Sequence, residues 1–214
     1  MPGTKATEAV RREQILLAAY EVAARDGLEG TTILQVAAAA NVSPGLVMFH
    51  FKSKRGLVLA LLDWMLGTTT VLHVAPDIAQ LSSPRERLVA LLRQEMQRLA
   101  SEPLRIRLTF DYWSAGIRDH EVRDRLREEF ARYRAAFRPL AAAVLRELPS
   151  AHGQLTADGL AAVAVSFIKG CAVQSMIDPE CFDIEHYLAA AETLLVGLNS
   201  PPDALALPLA ETSA

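Results

Sequence analysis

Apolar residues recur along this chain at spacings of three and four, the period that lines one face of an α-helix. In "EAVRREQILLAAYEVAARDG", Ile15, Ala19, Val22 and Ala23 share a face, with Arg11, Arg12, Glu21 and Arg25 elsewhere. Gly27 supplies a stop. Thr32 is placed to cap a second helix with Ile33, Val36, Ala37 and Ala40 facing inward. Asn41 tolerates the left-handed backbone of a sharp turn. Ser43 and Pro44 open a third helix, and Ser53 caps a fourth, from 54 to about 66. "GTTTVLHVAPDIAQLSSP" predicts an irregular link. Five longer helices then begin at Ser83-Pro84, Ser101 with Pro103, Asp119, Thr156 and Asp183, the third carrying Pro139 as a kink. No stretch alternates like a strand, and no repeat of 20–50 residues is present. The expectation is an all-α fold of about nine helices, with a flexible tail over 200–214.

The stretch "NVSPGLVMFHFKSK" places two short helices, 33–40 and 44–51, around a three-residue turn, which is helix-turn-helix spacing. The small Ala37 and Ala40 allow close crossing, and Val42 plugs the corner. Val47 and Phe51, four apart, point into the core. Gly45, Leu46, Phe49 and His50 then face outward. Such an apolar surface on so short a helix calls for a cover. DNA would provide it: a thymine methyl accepts apolar contact, and His50 can reach a phosphate or a base edge. An ordinary corner between packed helices fits the same period and spacing.

Hydrophobic residues make up 51% of 214 residues, enough for a sizeable core. The net charge of −3 gives no general attraction to nucleic acid. Up to Gly56, however, seven Lys and Arg stand against five Asp and Glu, with fifteen against twenty in the remainder. A local patch suffices to bind DNA. Cys171 and Cys181, without C-x-x-C spacing, suit a reducing compartment. The N-terminus is polar, and "GLVLALLDWMLG" is broken by Asp63 and too short to cross a bilayer. A cytoplasmic protein with no membrane partner is expected.

From Arg11 to Leu62 the chain resembles the N-terminal domain of the tetracycline-repressor (TetR) family of bacterial transcriptional regulators. The resemblance rests on several parts at fixed distances: Ile15 with Ala18 and Ala19, Gly27, Thr31-Thr32 leading into Val36-Ala37, Val42-Ser43 with Gly45, and "FHFKSKRGL". The "GLV…HF" version is nearer the branch with choline-responsive repressors. The resemblance implies a DNA-binding domain over 6–53 and an effector-binding and dimerisation domain over 54–199. It also implies that Thr32 caps its helix and touches phosphate. Ser43, Pro44, Gly45 and Leu46 begin the recognition helix, Phe49 and His50 contact backbone or base, and Lys54, with Lys52 nearby, binds phosphate at a helix N-terminus. Met48 stands where the family often has Tyr, Leu46 where Thr is common, and Asn41 where Gly is usual.

The last two helices mix small residues (Ala161, Ala162, Ala164, Gly170; Ala189, Ala190, Ala191, Gly197) with branched ones, a composition suited to close packing against a second copy. By resemblance they form a four-helix dimer bundle. The middle helices are expected to line an effector pocket. "RLTFDYWSAG" sends Phe110, Trp113 and Ser114 roughly one way, an aromatic wall for a cationic or mixed apolar ligand. Asp111 is expected to pair with Arg107 or Arg118. Trp64, Met96, Phe167, Cys171 and Gln174 are further pocket candidates. The five histidines show no zinc-site spacing, and no nucleophile elbow or phosphate loop is present, so no enzyme, metal or cofactor is expected. The function expected is a ligand-responsive homodimeric regulator, most simply a repressor, with double-stranded operator DNA, a small effector and itself as partners. The alternative is a helical ligand-binding or partner-docking protein without DNA function.

Overall fold

The computed structural model describes residues 7–68, 74–147 and 155–197. The expected tail over 200–214 lies outside the described residues. Ten helices are present among them: α1 (Glu8–Gly30), α2 (Ile33–Ala39), α3 (Pro44–Phe51), α4 (Lys54–Thr68), α5 (Pro76–Gln80), α6 (Pro84–Ala100), α7 (Pro103–Arg118), α8 (His120–Glu147), α9 (Ala157–Ile177) and α10 (Ile184–Gly197). The additional helix is α5, inside the stretch expected to be an irregular link. Pro76 at its start favours a helical turn, but Ile78 is its only buried residue, and one apolar position makes no period. A second correction concerns the start of α7. Ser101 ends α6, its hydroxyl donating to the Arg98 carbonyl at 2.7 Å, while α7 begins after Glu102 with Pro103 in its first turn.

The helices form two compact units. The first holds α1–α4, α7 and the start of α8. Ile15, Ala19, Val36, Val47, Leu57 and Leu108 are nearly or fully buried in its core. Tyr112 joins them, and its hydroxyl donates to the Val58 carbonyl of α4 at 2.7 Å. Burial keeps that phenol far above its usual pKa, so it remains a donor.

The second unit holds α5, α6, the remainder of α8 from Tyr133, α9 and α10. Leu88, Leu91, Leu92, Met96 and Leu99 bury one face of α6, while Tyr133, Phe137 and Val144 come from α8 and Leu160, Ala164, Ile168 and Cys171 from α9. Glu95 is fully buried and accepts from Arg98 at 2.7 Å. Arg98 also donates to the Tyr133 hydroxyl at 3.2 Å, and Lys169 lies 4.5 Å from that ring's centre. A buried carboxylate is tolerated because a cation reaches it. Arg93 fastens α6 to α10 through Glu185 and Glu192, each at 2.7 Å.

Candidate nucleic-acid interface

The first three helices are shaped by short-range chemistry. Thr7 caps α1, and Gly27, at φ 76°, ends its regular part. Thr31 then ties back, its hydroxyl donating to the Gly27 carbonyl at 2.8 Å. Thr32 and Gln35 form a capping box at the head of α2. At its foot Asn41 turns with φ 51°, and Val42 N–H donates to the Ala37 carbonyl at 2.9 Å. Gln14 Nε2 satisfies the Ala40 carbonyl at 3.0 Å. Ser43 caps α3, accepting from Leu46 N–H at 3.2 Å, with Pro44 in the first turn. The chain bends by 111° between α2 and α3, within the range of a helix-turn-helix.

Val47 and Phe51 anchor α3 in the core. Its other side faces solvent: Phe49 is 60% and Met48 42% exposed, Pro44 and Gly45 are exposed, and Leu46 and His50 half-buried. A Cβ added at Gly45 would meet only Ser43 Oγ, at 3.9 Å. The folded chain therefore has no need of a glycine there. Gly56 is the opposite case: a Cβ would fall 2.1 Å from the Phe51 carbonyl oxygen, so the close α3–α4 turn requires it. The sequence reading missed Gly56, because the demand comes from a carbonyl five residues earlier rather than from any helical period.

The basic residues lie at the end of this face. Lys52, at φ 66°, donates to the Phe49 carbonyl at 2.6 Å, and its ammonium lies 5.0 Å from the Phe49 ring centre. Lys54, exposed at the head of α4, donates to the Glu29 carbonyl at 2.6 Å. Ser53 caps that helix, its hydroxyl accepting from Gly56 N–H at 2.9 Å. Thr32, Ser43, Pro44, Gly45, Leu46, Phe49, His50, Lys52 and Lys54 thus all lie between the head of α2 and the head of α4.

Behind this face α4 is held along its length to α7 and the start of α8. Arg55 donates to Asp119 at 2.6 Å and to Glu121 at 2.5 Å. Tyr112 bonds Val58, Arg125 reaches Asp63 at 2.7 Å, and Arg105 donates to the Met65 carbonyl and to the Thr68 hydroxyl at 3.1 Å. The Arg55 guanidinium holds the Asp119 carboxyl down at about 2, helped by the N–H groups of Val122 and Glu121. The sequence reading missed these fasteners, since each joins residues about 40 or more positions apart.

The expected effector residues divide between the units. Trp64, Phe110 and Trp113 belong to the first, and Met96, Phe167, Cys171 and Gln174 to the second. Phe110 and Trp113 meet edge to face at 4.8 Å between centres, and Phe130 lies 5.7 Å beyond Trp113. Trp64 leans on Tyr20 at 5.8 Å. In the second unit Met96 and Cys171 are fully buried, burial raising the thiol pKa, while Phe167 is half-buried against Tyr187 and Gln174 is exposed. Two expectations are corrected. Among the described residues Asp111 pairs with neither Arg107 nor Arg118. With Ser114, Asp111 instead lines a cleft of about 490 Å³ beside Asp26, Gly27 and Glu29. Positions 111, 114 and 118 share a helix side that the aromatic pair does not.

These features define a DNA-binding module of the helix-turn-helix class. Comparison with known proteins agrees. The family profile described as "Bacterial regulatory proteins, tetR family" matches residues 15–61, and "BetI-type transcriptional repressor, C-terminal" matches residues 84–199. The chain belongs to the tetR family of bacterial transcriptional regulators and carries the C-terminal domain of its BetI-type repressors. It is 29% identical over 184 residues to the HTH-type transcriptional regulator BetI of Paraburkholderia phymatum, covering 85% of this chain and 89% of that one. It is 28% identical over 179 residues to BetI of Cronobacter sakazakii, covering 82% and 84%. Its fold is similar to that of a proposed transcriptional regulator from Saccharomonospora viridis in complex with choline (TM-score 0.72, 19% identity, 88% and 97% covered). It is also similar to that of FadR from Bacillus subtilis in complex with stearoyl-CoA (TM-score 0.65, 19% identity, 88% and 98% covered). Ligands as unlike as these on one fold leave the effector to be decided by side chains.

Proposed function

We propose that the protein is a homodimeric repressor that binds a palindromic operator in the bacterial cytoplasm and is released by a small effector. The observation that carries the reading is the face of α3. Pro44, Gly45, Leu46, Phe49 and His50 lie outward on a helix whose other side is locked into the core, with Lys52 and Lys54 beside it. Phosphates bind the lysines and the head of α4, and base edges meet α3.

One such helix reads too little to specify a site, and two copies reading half-sites gain both affinity and specificity. α9 supports the dimer. It is long and apolar enough by composition to cross a membrane, yet only 39% of its most apolar 18 residues are buried within one chain. Val163, Ser166, Gln174 and Ile177 form an exposed stripe along one side of the helix, with Val163 45% and Ile177 72% exposed. A second copy would cover that stripe. Val163→Glu spares the single-chain core and should give a monomer by sedimentation, where the wild type is a dimer.

For the effector, the Phe110–Trp113–Phe130 group offers ring faces to a cation. Choline, carried by a solved structural neighbour, is the first compound to test. An effector pressing on Phe110 and Trp113 moves α7, and the bonds of Tyr112 and Arg105 pass that shift to α4. The α3 helices of the dimer then no longer match their half-sites. A gel shift with the DNA beside the protein's own gene tests the reading. A specific complex is expected, released by effector about 5–150-fold, with DNA weakening the effector by the same factor. Absence of any specific complex would overturn it.

A further inference from the structure

The outward face of α3 is built of carbon. Its first positions are Pro44, Gly45 and Leu46, and the next outward position is Phe49. None of the four has a side-chain nitrogen or oxygen. Exposed Met48 extends the surface, and His50 is the one polar side chain on the helix. Neighbouring polar groups are engaged locally. Ser43 accepts from Leu46 N–H, Lys52 donates to the Phe49 carbonyl, and Thr32 and Gln35 complete their capping box, with Gln35 also donating to Asp26 at 3.1 Å.

In the major groove, guanine, adenine and cytosine are told apart by donors and acceptors, and thymine by its C5-methyl group. The first residues of a recognition helix lie nearest those edges. Leu46 and Phe49 can satisfy no donor or acceptor. Laid over a G·C pair they strip water from base polar groups and give nothing back. Laid over thymine they bury a methyl group. We propose that α3 selects its operator by packing Leu46 and Phe49 against thymine C5-methyl groups, in place of side-chain hydrogen bonds to base edges. The proposal rests on the DNA-binding reading above and names what that surface reads. Because 5-methylcytosine carries the same methyl group at the same carbon, it regains that contact while keeping the unpaired polar groups of a G·C pair, so it ranks between thymine and cytosine.

The full-length protein is used to select bound duplexes from random DNA, and Kd is then measured on the selected operator and its analogues. Deoxyuridine in place of one contacted thymine removes only the methyl group and should weaken binding about fourfold. Cytosine there should weaken it further, and 5-methylcytosine should restore part of that loss. Leu46→Ala or Phe49→Ala, each with an unchanged melting temperature, should abolish the deoxyuridine penalty at the thymine it touches. Half-sites without thymine, full tolerance of deoxyuridine at every thymine, or a penalty unchanged in both variants would overturn the proposal while leaving the DNA-binding reading intact. Enrichment of no duplex at all would overturn the DNA-binding reading itself.

Discussion

The Tyr112 hydroxyl donates to the Val58 carbonyl at 2.7 Å, joining the helix that carries Phe110 and Trp113 to the helix that begins at Lys54. Tyr112 is fully buried, so the bond is shielded from water. With Arg105, Arg125 and Arg55 it makes α7, α8 and α4 a fastened set directly behind the candidate DNA face. In the proposed mechanism this set transmits the effector.

Tyr112→Phe keeps the ring and removes the bond. It should cost about 1 kcal/mol of stability. Operator affinity without effector should change little, while the concentration of effector needed for release should rise. Thermal melting and effector titration of the DNA complex check both. Unaltered release would place the transmitting contact elsewhere.

The Arg55–Asp119 pair predicts a pH dependence. Asp119 is held at about 2 in the fold, below its ordinary value of 3.8, chiefly by the hydrogen bond from Arg55. A depressed carboxyl pKa stabilises the fold above the unfolded value, and the contribution is lost as pH falls through the folded one. The melting-temperature gap between wild type and Asp119→Asn should be constant above pH 4 to 5 and close between about pH 4 and pH 2. Both carboxylates that Arg55 reaches are partly open to solvent, so the gap is small.

Lys54 predicts a salt effect. If its ammonium exchanges the Glu29 carbonyl for a phosphate on binding, Lys54→Ala should lower the slope of log K against log salt by about 0.9 and leave sequence preference unchanged. Affinity measured over a salt series on two operator variants checks this. A changed preference at one base pair would mean that Lys54 reads bases.

Much of this was legible in the sequence wherever the cause was local. Thr32, Asn41, Ser43, Pro44 and Ser53 each act within a few residues of themselves, and all five take the predicted capping, helix-start or turn positions. The inward set of Val36, Ala37, Val47 and Phe51 follows from helical period alone. Long-range pairing is written in no period, so Arg55 with Asp119, Tyr112 with Val58, and Phe130 beside Trp113 went unread. Asp111 was read for its charge and assigned a partner, but its carboxylate lies beside Gly27 in the cleft that Ser114 and Arg118 also line, and among the described residues it forms no ion pair with Arg107 or Arg118. α5 went unread because five residues with one buried side chain carry too little pattern.

Footprinting on DNA beside the protein's own gene, wild type against Gly45→Glu, tests the central claim most directly. The added side chain has open space, and a carboxylate in the first turn of α3 suits the helix dipole, so the variant should keep its melting temperature and dimer mass. Wild type should protect two symmetric half-sites about one helical turn or more apart. Gly45→Glu should protect none. A folded Gly45→Glu dimer that binds as well as wild type would contradict the assignment of α3 as the surface that meets DNA.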